Sequence, residues 1–319
     1  MHDLTLIDTA LPGALTVAEI DTALRFAEAE KAAATRKAYD SDWADFAAWC
    51  AARGATPLPA HQGLVAAYLS ALADAGRKAS TIGRRAAAIG HRHKLAGHEP
   101  PTSQEGVRAV LRGIRRTIGA ARAGKAAATA DILTTMLRLC PATLAGSRDR
   151  ALLALGFAGA FRRSELVALE VADLTEAPDG LRVRIRRSKT DQEGEGAEIA
   201  IPRGYRLRPV EAVQAWLKAS EISDGPLFRP VLKGRRIQRE PLSAFSAAQI
   251  VKRYAERAGL DPAAYAGHSL RSGFLTSAAE AGASVWKLTE VSRHKSLDTL
   301  RGYVRRVDLF KEHAGAAFL

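Results

Sequence analysis

The chain has 319 residues, of which 47% are hydrophobic, and it carries a formal net charge of +13. This length predicts about two domains, and the high apolar content excludes wholesale disorder. The positive surplus favours a polyanionic partner, with nucleic acid first and an anionic membrane second.

The positive charge is concentrated in one part of the chain. Residues 51–128 contain thirteen Lys and Arg residues but only three Asp and Glu residues, whereas residues 1–50 contain four basic and nine acidic ones. A basic block of this kind predicts contacts with phosphates. Cys50 and Cys140 form neither a disulfide framework nor a metal motif, so we expect no metal and no cofactor.

Two features of the sequence bear on its compartment. No apolar run reaches the ~18 residues that a membrane-spanning helix needs. The sequence also lacks the basic start of a signal peptide. We therefore expect a cytoplasmic protein without a membrane partner.

The first part of the chain predicts helices only. Residues 1–16 are typical of a flexible lead-in, with Thr16 as the cap of the first helix. Aromatic residues recur at spacings of four, three and three in the second helix, which predicts a core-facing stripe. Its members are Tyr39, Trp43, Phe46 and Trp49. The predicted helices are 17–30, 35–52, 64–75, 80–95 with Ser80 as its cap, and 103–118.

The second part predicts a mixed domain. Residues 119–128 are small and basic, which is typical of a linker, and a domain over 129–319 follows. Alternating apolar and polar residues at 181–187 and 197–202 predict a β-hairpin. The predicted helices of this domain are 130–139, 147–159, 209–220, 243–258, 268–281, 284–291 and 297–303.

Four segments of the second domain contribute basic residues and a tyrosine in a fixed order. They are FRRSELVALEVADL with Arg162, the hairpin tip SKTD with Lys189, GHSLRSG with His268 and Arg271, and SRHKSLDTLRGYVRR with His294 and Tyr303. His268 and Arg271 are three residues apart and so share one helix face. Each segment alone is weak, because such an Arg is usually a solvated charge and such a Tyr usually packs.

The order and spacing of these segments resemble the tyrosine recombinase (phage integrase) family. Its pattern is R-x-S-E-L, a hairpin Lys, H-x-L-R, then His or Trp, and Tyr nine residues later. The helix around TRKAYDSDWADFAAWC and the LRGIRR before the linker resemble the core-binding domain of the simple, two-domain Cre-type members. The resemblance implies an all-helical core-binding domain over 17–118 and an α+β catalytic domain over 129–319, forming a C-shaped clamp on DNA.

The family chemistry suits these residue types. Two guanidiniums, Arg162 and Arg271, would stabilise the charge on the attacked phosphate, and Tyr303 would be the nucleophile. By the same resemblance, His268 is the general base, Lys189 the general acid, and His294 a hydrogen-bond partner of the phosphate. The product would be a 3′-phosphotyrosine, formed without ATP or metal.

Several positions depart from the family pattern. Arg163 rivals Arg162, which R-x-S-E-L favours by counting back from Glu165. Arg186 and Arg187 likewise rival Lys189, whose place at the hairpin tip favours it. Arg293 stands where Gly commonly precedes the His.

Softer signals concern DNA contacts and assembly. Basic residues at two helix starts would suit phosphate or major-groove contacts, although a solvated helix face explains them too. They are Arg36, Lys37, Arg77, Lys78, Arg84 and Arg85. The family suggests a tetramer on paired, specific recombination sites, with the apolar set in 306–319 as a docking tail. The alternatives are a type IB topoisomerase and a non-catalytic DNA-binding relative.

Overall fold

The computed structural model describes residues 16–119, 124–186 and 196–294, together with residues 300 and 302. The chain divides into two compact units between Ala123 and Gly124. Most described residues are helical, and the second unit adds a three-stranded sheet, so the predicted mainly helical fold class is confirmed. None of the helices in these ranges is both long and apolar enough to cross a membrane.

The first unit is built around the aromatic stripe of its second helix. Its helices are α1 (Val17–Ala29), α2 (Ala33–Ala51), α3 (Gln62–Asp74), α4 (Ala79–Leu95) and α5 (Glu105–Ile118). Phe46 is fully buried, and its ring centroid lies 5.0 Å from that of Tyr68 on α3. Trp43 and Trp49 pack against the same cluster, so the predicted core-facing stripe is confirmed for these three residues, whereas Tyr39 is half-buried against the His91 ring.

The predicted starts of α2, α3, α4 and α5 each lie one or two residues from the observed ones. Ser80 does not cap α4, because the helix begins one residue earlier and Lys78 holds the N-cap position. Similarly, α5 begins at Glu105, after a separate 3-10 turn over Pro101–Ser103. The cap at Thr16 is as predicted, since its hydroxyl accepts the Glu19 backbone N–H at 3.3 Å.

The second unit packs its elements around a buried central helix, α7. Its elements are α6 (Ala130–Arg138), α7 (Leu144–Ala158), α8 (Arg163–Val167), β1 (Leu174–Ala177), β2 (Gly180–Ile185), β3 (Ala197–Pro202), α9 (Pro209–Ser220), α10 (Ala244–Arg257), α11 (His268–Glu280) and α12 (Val285–Ser292). Buried Asp149 on α7 accepts from Arg148 at 2.6 Å and from the Tyr254 hydroxyl at 3.1 Å. This polar contact joins α7 to α10.

The sheet has the order β1-β2-β3 with antiparallel neighbours. Ile185 pairs with Ala197, which confirms the predicted hairpin, although its first strand ends before Arg186. Leu181, Val183 and Ile185 are buried on the core side of β2. The strand β1 was not predicted, because its four residues carry no alternating pattern.

Residues 124–128, which we name the strap, are packed on the second unit. The strap donates from the Ala128 N–H to the Ser269 carbonyl at 2.9 Å and from the Ala126 N–H to the Ala264 carbonyl at 2.8 Å. A Cβ at Gly273 on α11 would lie 1.9 Å from the Ala128 carbonyl oxygen, so only glycine permits this approach. The linker predicted over 119–128 therefore extends too far at its C-terminal end, because residues 124–128 belong to the second unit.

Candidate active site

The first segment of the site begins where α7 ends. Gly159 is the C-cap of α7, and a Cβ there would lie 2.2 Å from the buried Phe161 ring. Ala160 follows in the left-handed region with φ of 44°. This sharp turn seats Phe161 in the core, leaves the Ala160 carbonyl available to side chains, and places Arg162 at the N-cap of α8.

Arg162 is held by an acidic residue one turn into α8. Its Nη1 donates to the Glu165 Oε1 at 2.7 Å, and its backbone N–H donates to Oε2 of the same carboxylate at 2.9 Å. Glu165 is buried, whereas the Arg162 side chain keeps 17% of its surface exposed. The ion pair therefore fixes a guanidinium that still has a solvent-facing side.

Arg271 is fully buried and lies in the first turn of α11, which begins at His268. Its Nη1 donates to the Ala160 carbonyl at 2.7 Å, and its Nη2 lies 3.1 Å and 3.2 Å from the two ring nitrogens of His294. Two segments that are 111 residues apart in the chain thus meet at one guanidinium. Arg271 is a positive centre held in fixed orientation by the protein.

His294 is a neutral imidazole in this setting. The Ser292 hydroxyl donates to the Leu288 carbonyl, so its oxygen accepts from the His294 Nδ1–H at 2.7 Å. Nε2 is then the ring nitrogen without a proton, and the Arg271 Nη2 lies almost equally far from both ring nitrogens. Burial, followed by the charges of Arg271 and Arg162, lowers the pKa of His294 to about 4.

His268 lies at the first residue of α11 and is exposed. Loss of hydration on its inner side lowers the pKa of His268, and the positive charges of Arg271 and Arg162 lower it further. A neutral imidazole at neutral pH is able to accept a proton. The structure therefore brings together four of the predicted residues, namely Arg162, His268, Arg271 and His294.

Two predicted residues cannot be placed. Lys189 and Tyr303 lie outside the described residues. The rival Arg186 is engaged elsewhere, since its guanidinium binds Glu170 at 2.9 Å and Asp173 at 3.0 Å. The rival Arg163 is exposed, and its stem packs beside Gly267.

Arg293 is part of the site, although its sequence position marked it only as a departure from a pattern. Its Nη2 donates to the Glu165 Oε2 at 2.9 Å, and its side chain is 11% exposed. Burial lowers the pKa of this guanidinium, and the Glu165 carboxylate opposes that shift. Glu165 is therefore shared by two arginines, Arg162 and Arg293.

The predicted DNA-contacting residues differ in their surroundings. Lys37, Arg77, Lys78 and Arg84 are exposed, and Arg36 is half-buried. Arg85 is 14% exposed and binds Asp45, and its Nη1 donates to the Tyr68 hydroxyl at 2.6 Å. The Arg85 side chain is therefore engaged in contacts within the first unit.

The sequence analysis did not predict a second basic surface, which the structure shows on the second unit. Val231 and Ile237 form an antiparallel bridge, and the turn between them exposes its charges. Exposed basic residues of this turn and its flank are Lys233, Arg235, Arg236 and Arg239. The signal was present in the KGRRIQR run, which is a basic patch of the kind that phosphates attract.

Comparisons with known proteins agree with this geometry. The phage integrase family matches residues 128–308. An integrase/recombinase XerD homologue from Selenomonas ruminantium is 41% identical over 298 residues, which cover 92% of this chain and 87% of that protein. A tyrosine recombinase XerD from Xanthomonas axonopodis pv. citri is 38% identical over 54% of this chain and 56% of its own length.

The fold is also found among solved structures. The lambda integrase (residues 75–356), seen as a dimer bound to a COC′ core site, superposes with a TM-score of 0.58. The match covers 92% of this chain and 96% of that chain at 19% identity, so it concerns the fold alone. The family match and the 41% identical relative show that the chain belongs to the phage integrase family, the tyrosine recombinases that cut and rejoin DNA.

Proposed function

We propose that six residues perform strand cleavage in this recombinase, and that it acts at one specific DNA site. They are Arg162, Lys189, His268, Arg271, His294 and Tyr303. The observation that carries the proposal is the meeting of Arg271 with both the Ala160 carbonyl and His294. These contacts hold residues from three distant segments of the chain close together, next to Arg162.

The two arginines would stabilise the negative charge that develops on the phosphate. Attack by an oxygen nucleophile adds charge to the non-bridging oxygens, and fixed guanidiniums bind such oxygens with forked hydrogen bonds. Arg271 is buried and Arg162 is tied to Glu165, so neither must reorganise during the reaction. Preorganised charge is what this step requires.

Tyr303, His268 and Lys189 would take part in proton transfer, whereas His294 would hydrogen-bond the phosphate. The Tyr303 oxygen forms a bond to phosphorus while the bond from phosphorus to the 5′-oxygen breaks, and the phenol proton passes to His268. Lys189 supplies a proton to the departing 5′-oxygen. The product is a 3′-phosphotyrosine, and attack by a 5′-hydroxyl reverses each of these transfers during rejoining.

A nicked substrate tests this assignment by trapping the covalent product. The target sequence would first be obtained by capturing covalent complexes on genomic DNA and sequencing their ends. A half-site nicked close to the scissile phosphate should then accumulate a protein–DNA adduct, and Tyr303→Phe should abolish the adduct while half-site binding persists. An adduct in Tyr303→Phe would exclude Tyr303 as the nucleophile.

The role of Lys189 has its own test. A 5′-bridging sulfur makes a leaving group that needs no proton, so it should restore cleavage to Lys189→Ala. The same substrate should fail to rescue Arg271→Ala. Equal rescue of both variants would make Lys189 a phosphate contact instead of the acid.

Specificity is tested on supercoiled plasmids with and without the captured site. A recombinase of the proposed kind should act only on the plasmid that carries the site. Equal relaxation of both plasmids would favour a topoisomerase-like activity. A tetramer on two paired sites is part of the same proposal, and it would be seen as a paired-site complex in gel shifts.

A further inference from the structure

We infer that Arg293 is a positioning residue that holds Arg162 and His294 in their relative places for strand cleavage. The inference rests on the roles proposed above for Arg162 and His294. Arg293 directly precedes His294 in the chain. Its side chain also joins the end of α12 to Glu165 in the first segment of the site.

The contacts of Arg293 reach both of the other arginines. Its Nη2 binds the Glu165 carboxylate, which also binds Arg162, and its own carbonyl accepts from the Arg162 Nη2 at 3.3 Å. Its Nη2 also approaches the Ala160 carbonyl at 3.5 Å, the oxygen to which Arg271 donates. Arg293 is therefore bonded to the supports of Arg162 and Arg271 alike.

The rest of the side chain is anchored to the end of α7. Nη1 donates to the Gly159 carbonyl at 3.2 Å and to the Val291 carbonyl at 2.7 Å. The guanidinium also lies 5.4 Å from the centre of the Phe161 ring. A guanidinium with this many fixed partners resists displacement, so the peptide that leads to His294 is fixed as well.

The backbone at this position makes the arginine unexpected on conformational grounds. Arg293 is the C-cap of α12 and has φ of 56° and ψ of 43°, a left-handed conformation that favours glycine. The chain thus has a strained arginine at a position where glycine would end the helix without strain. The side-chain contacts offset that strain, which is why we assign them a function beyond ending the helix.

The test is Arg293→Gly, which relieves the backbone strain and removes the guanidinium together. Arg208→Gly is a matched control, because Arg208 is also a left-handed arginine (φ of 48°), is exposed, and has no role in the site. Both variants should keep their melting temperature within a few degrees of the parent and their half-site affinity. Single-turnover cleavage should fall at least tenfold for Arg293→Gly and stay at the parent rate for Arg208→Gly.

Two further measurements separate positioning from folding. Free guanidinium at non-denaturing concentration should restore part of the cleavage rate to Arg293→Gly and none to Arg162→Ala. Glu165→Gln combined with Arg293→Gly should lower the rate by less than the product of the single effects, because both act through one contact.

Parent-like cleavage by Arg293→Gly would overturn the inference. A large loss of melting temperature in Arg293→Gly, with cleavage per folded molecule unchanged, would also overturn it by showing a purely structural role. Failure of the proposed function is distinguishable, since the parent protein would then form no adduct or Arg162→Ala would cleave normally.

Discussion

Arg162 and Arg163 are neighbours in opposite surroundings, and this contrast leads to a prediction. Arg162 and Arg271 should stabilise charge at the scissile phosphate, so changing either to Ala should raise the cleavage barrier by about 3–4 kcal/mol, comparable to losing an oxyanion donor. Arg163→Ala should change the rate little, because Arg163 is exposed and sits outside the Glu165 contact. The measurement is single-turnover cleavage of the nicked half-site. A collapse for Arg163→Ala with a normal rate for Arg162→Ala would shift the assignment by one residue.

His294 gives a prediction on pH. Its pKa of about 4 reflects burial and neighbouring positive charge, and a bound phosphate would bring negative charge beside it. We expect the pKa of His294 to rise towards its usual value in Tyr303→Phe bound to a half-site, with proton uptake on binding. Ring signals followed by NMR between pH 4 and 8, free and bound, measure this. An identical pKa in both states would remove His294 from contact with the phosphate.

The same depressed pKa has a consequence for folding. The unfolded chain has a histidine with a pKa near 6.5, so it takes up a proton before the folded site does. The contribution of His294 to stability is therefore complete above about pH 6.5 and is lost as the pH falls towards 4. Acidification of the free protein is accordingly expected to weaken the fold at this site.

Arg84 and Arg85 are adjacent on α4 and should separate DNA binding from stability. Arg84 binds Asp42 at 3.0 Å but keeps 49% of its side chain exposed, whereas Arg85 is turned inward to Asp45 and Tyr68. Arg84→Ala should weaken half-site binding and lower the slope of log affinity against log salt by ~0.9, the value for one lost phosphate contact. Arg85→Ala should instead lower the melting temperature. An unchanged salt slope in Arg84→Ala would leave Arg84 as a solvated charge.

Asp149 on α7 joins this helix to Tyr254 on α10 and also forms a buried ion pair with Arg148 of its own helix. Asp149→Ala would leave Arg148 buried without its partner, which typically costs about 3–5 kcal/mol of unfolding free energy. Tyr254→Phe removes one hydrogen bond to the same carboxylate and should cost only about 1 kcal/mol. Urea unfolding of both variants measures these values. Equal losses would mean that the hydroxyl, and not the ion pair, dominates the contact.

The helices could be predicted because their signals are local. The aromatic spacing in α2 and the hairpin alternation in β2 and β3 correspond to buried faces in the structure. The start of α4 was misplaced because a serine inside the first turn looks the same in sequence as a serine that caps it. The start of α5 was misplaced because Ser103 belongs to a separate 3-10 turn. The strand β1 exists through its pairing with β2, which no property of its four residues reveals.

Only the site residues that belong to the sequence motif could be predicted. The resemblance to the family pattern identified Arg162, Arg271 and His294, which the structure places together. The role of Arg293 could not be predicted, because it depends on a contact with Glu165 across 128 residues of sequence. Its visible signal was an arginine at a position that favours glycine.

Assembly gives the last prediction. Residues 306–319, which lie outside the described residues, contain an apolar set with Leu309, Phe310 and Phe318. If this segment docks into a neighbouring protomer, a closed head-to-tail ring of four results. Deletion of residues 308–319 should then leave half-site binding intact and abolish paired-site complexes and recombination in a gel-shift series. Early melting together with lost half-site binding would instead show that the segment packs on its own unit.

The strap ties the start of the second unit to the helix that carries His268 and Arg271. It is hydrogen-bonded to the carbonyl of Ser269, between those two residues, and Gly273 lets the backbones touch one turn later. The strap therefore contacts first the turn over Pro262–Ala264 and then the beginning of α11. A side chain with a Cβ at Gly273 would force the Ala128 backbone away from α11, and with it would shift the helix that carries His268 and Arg271.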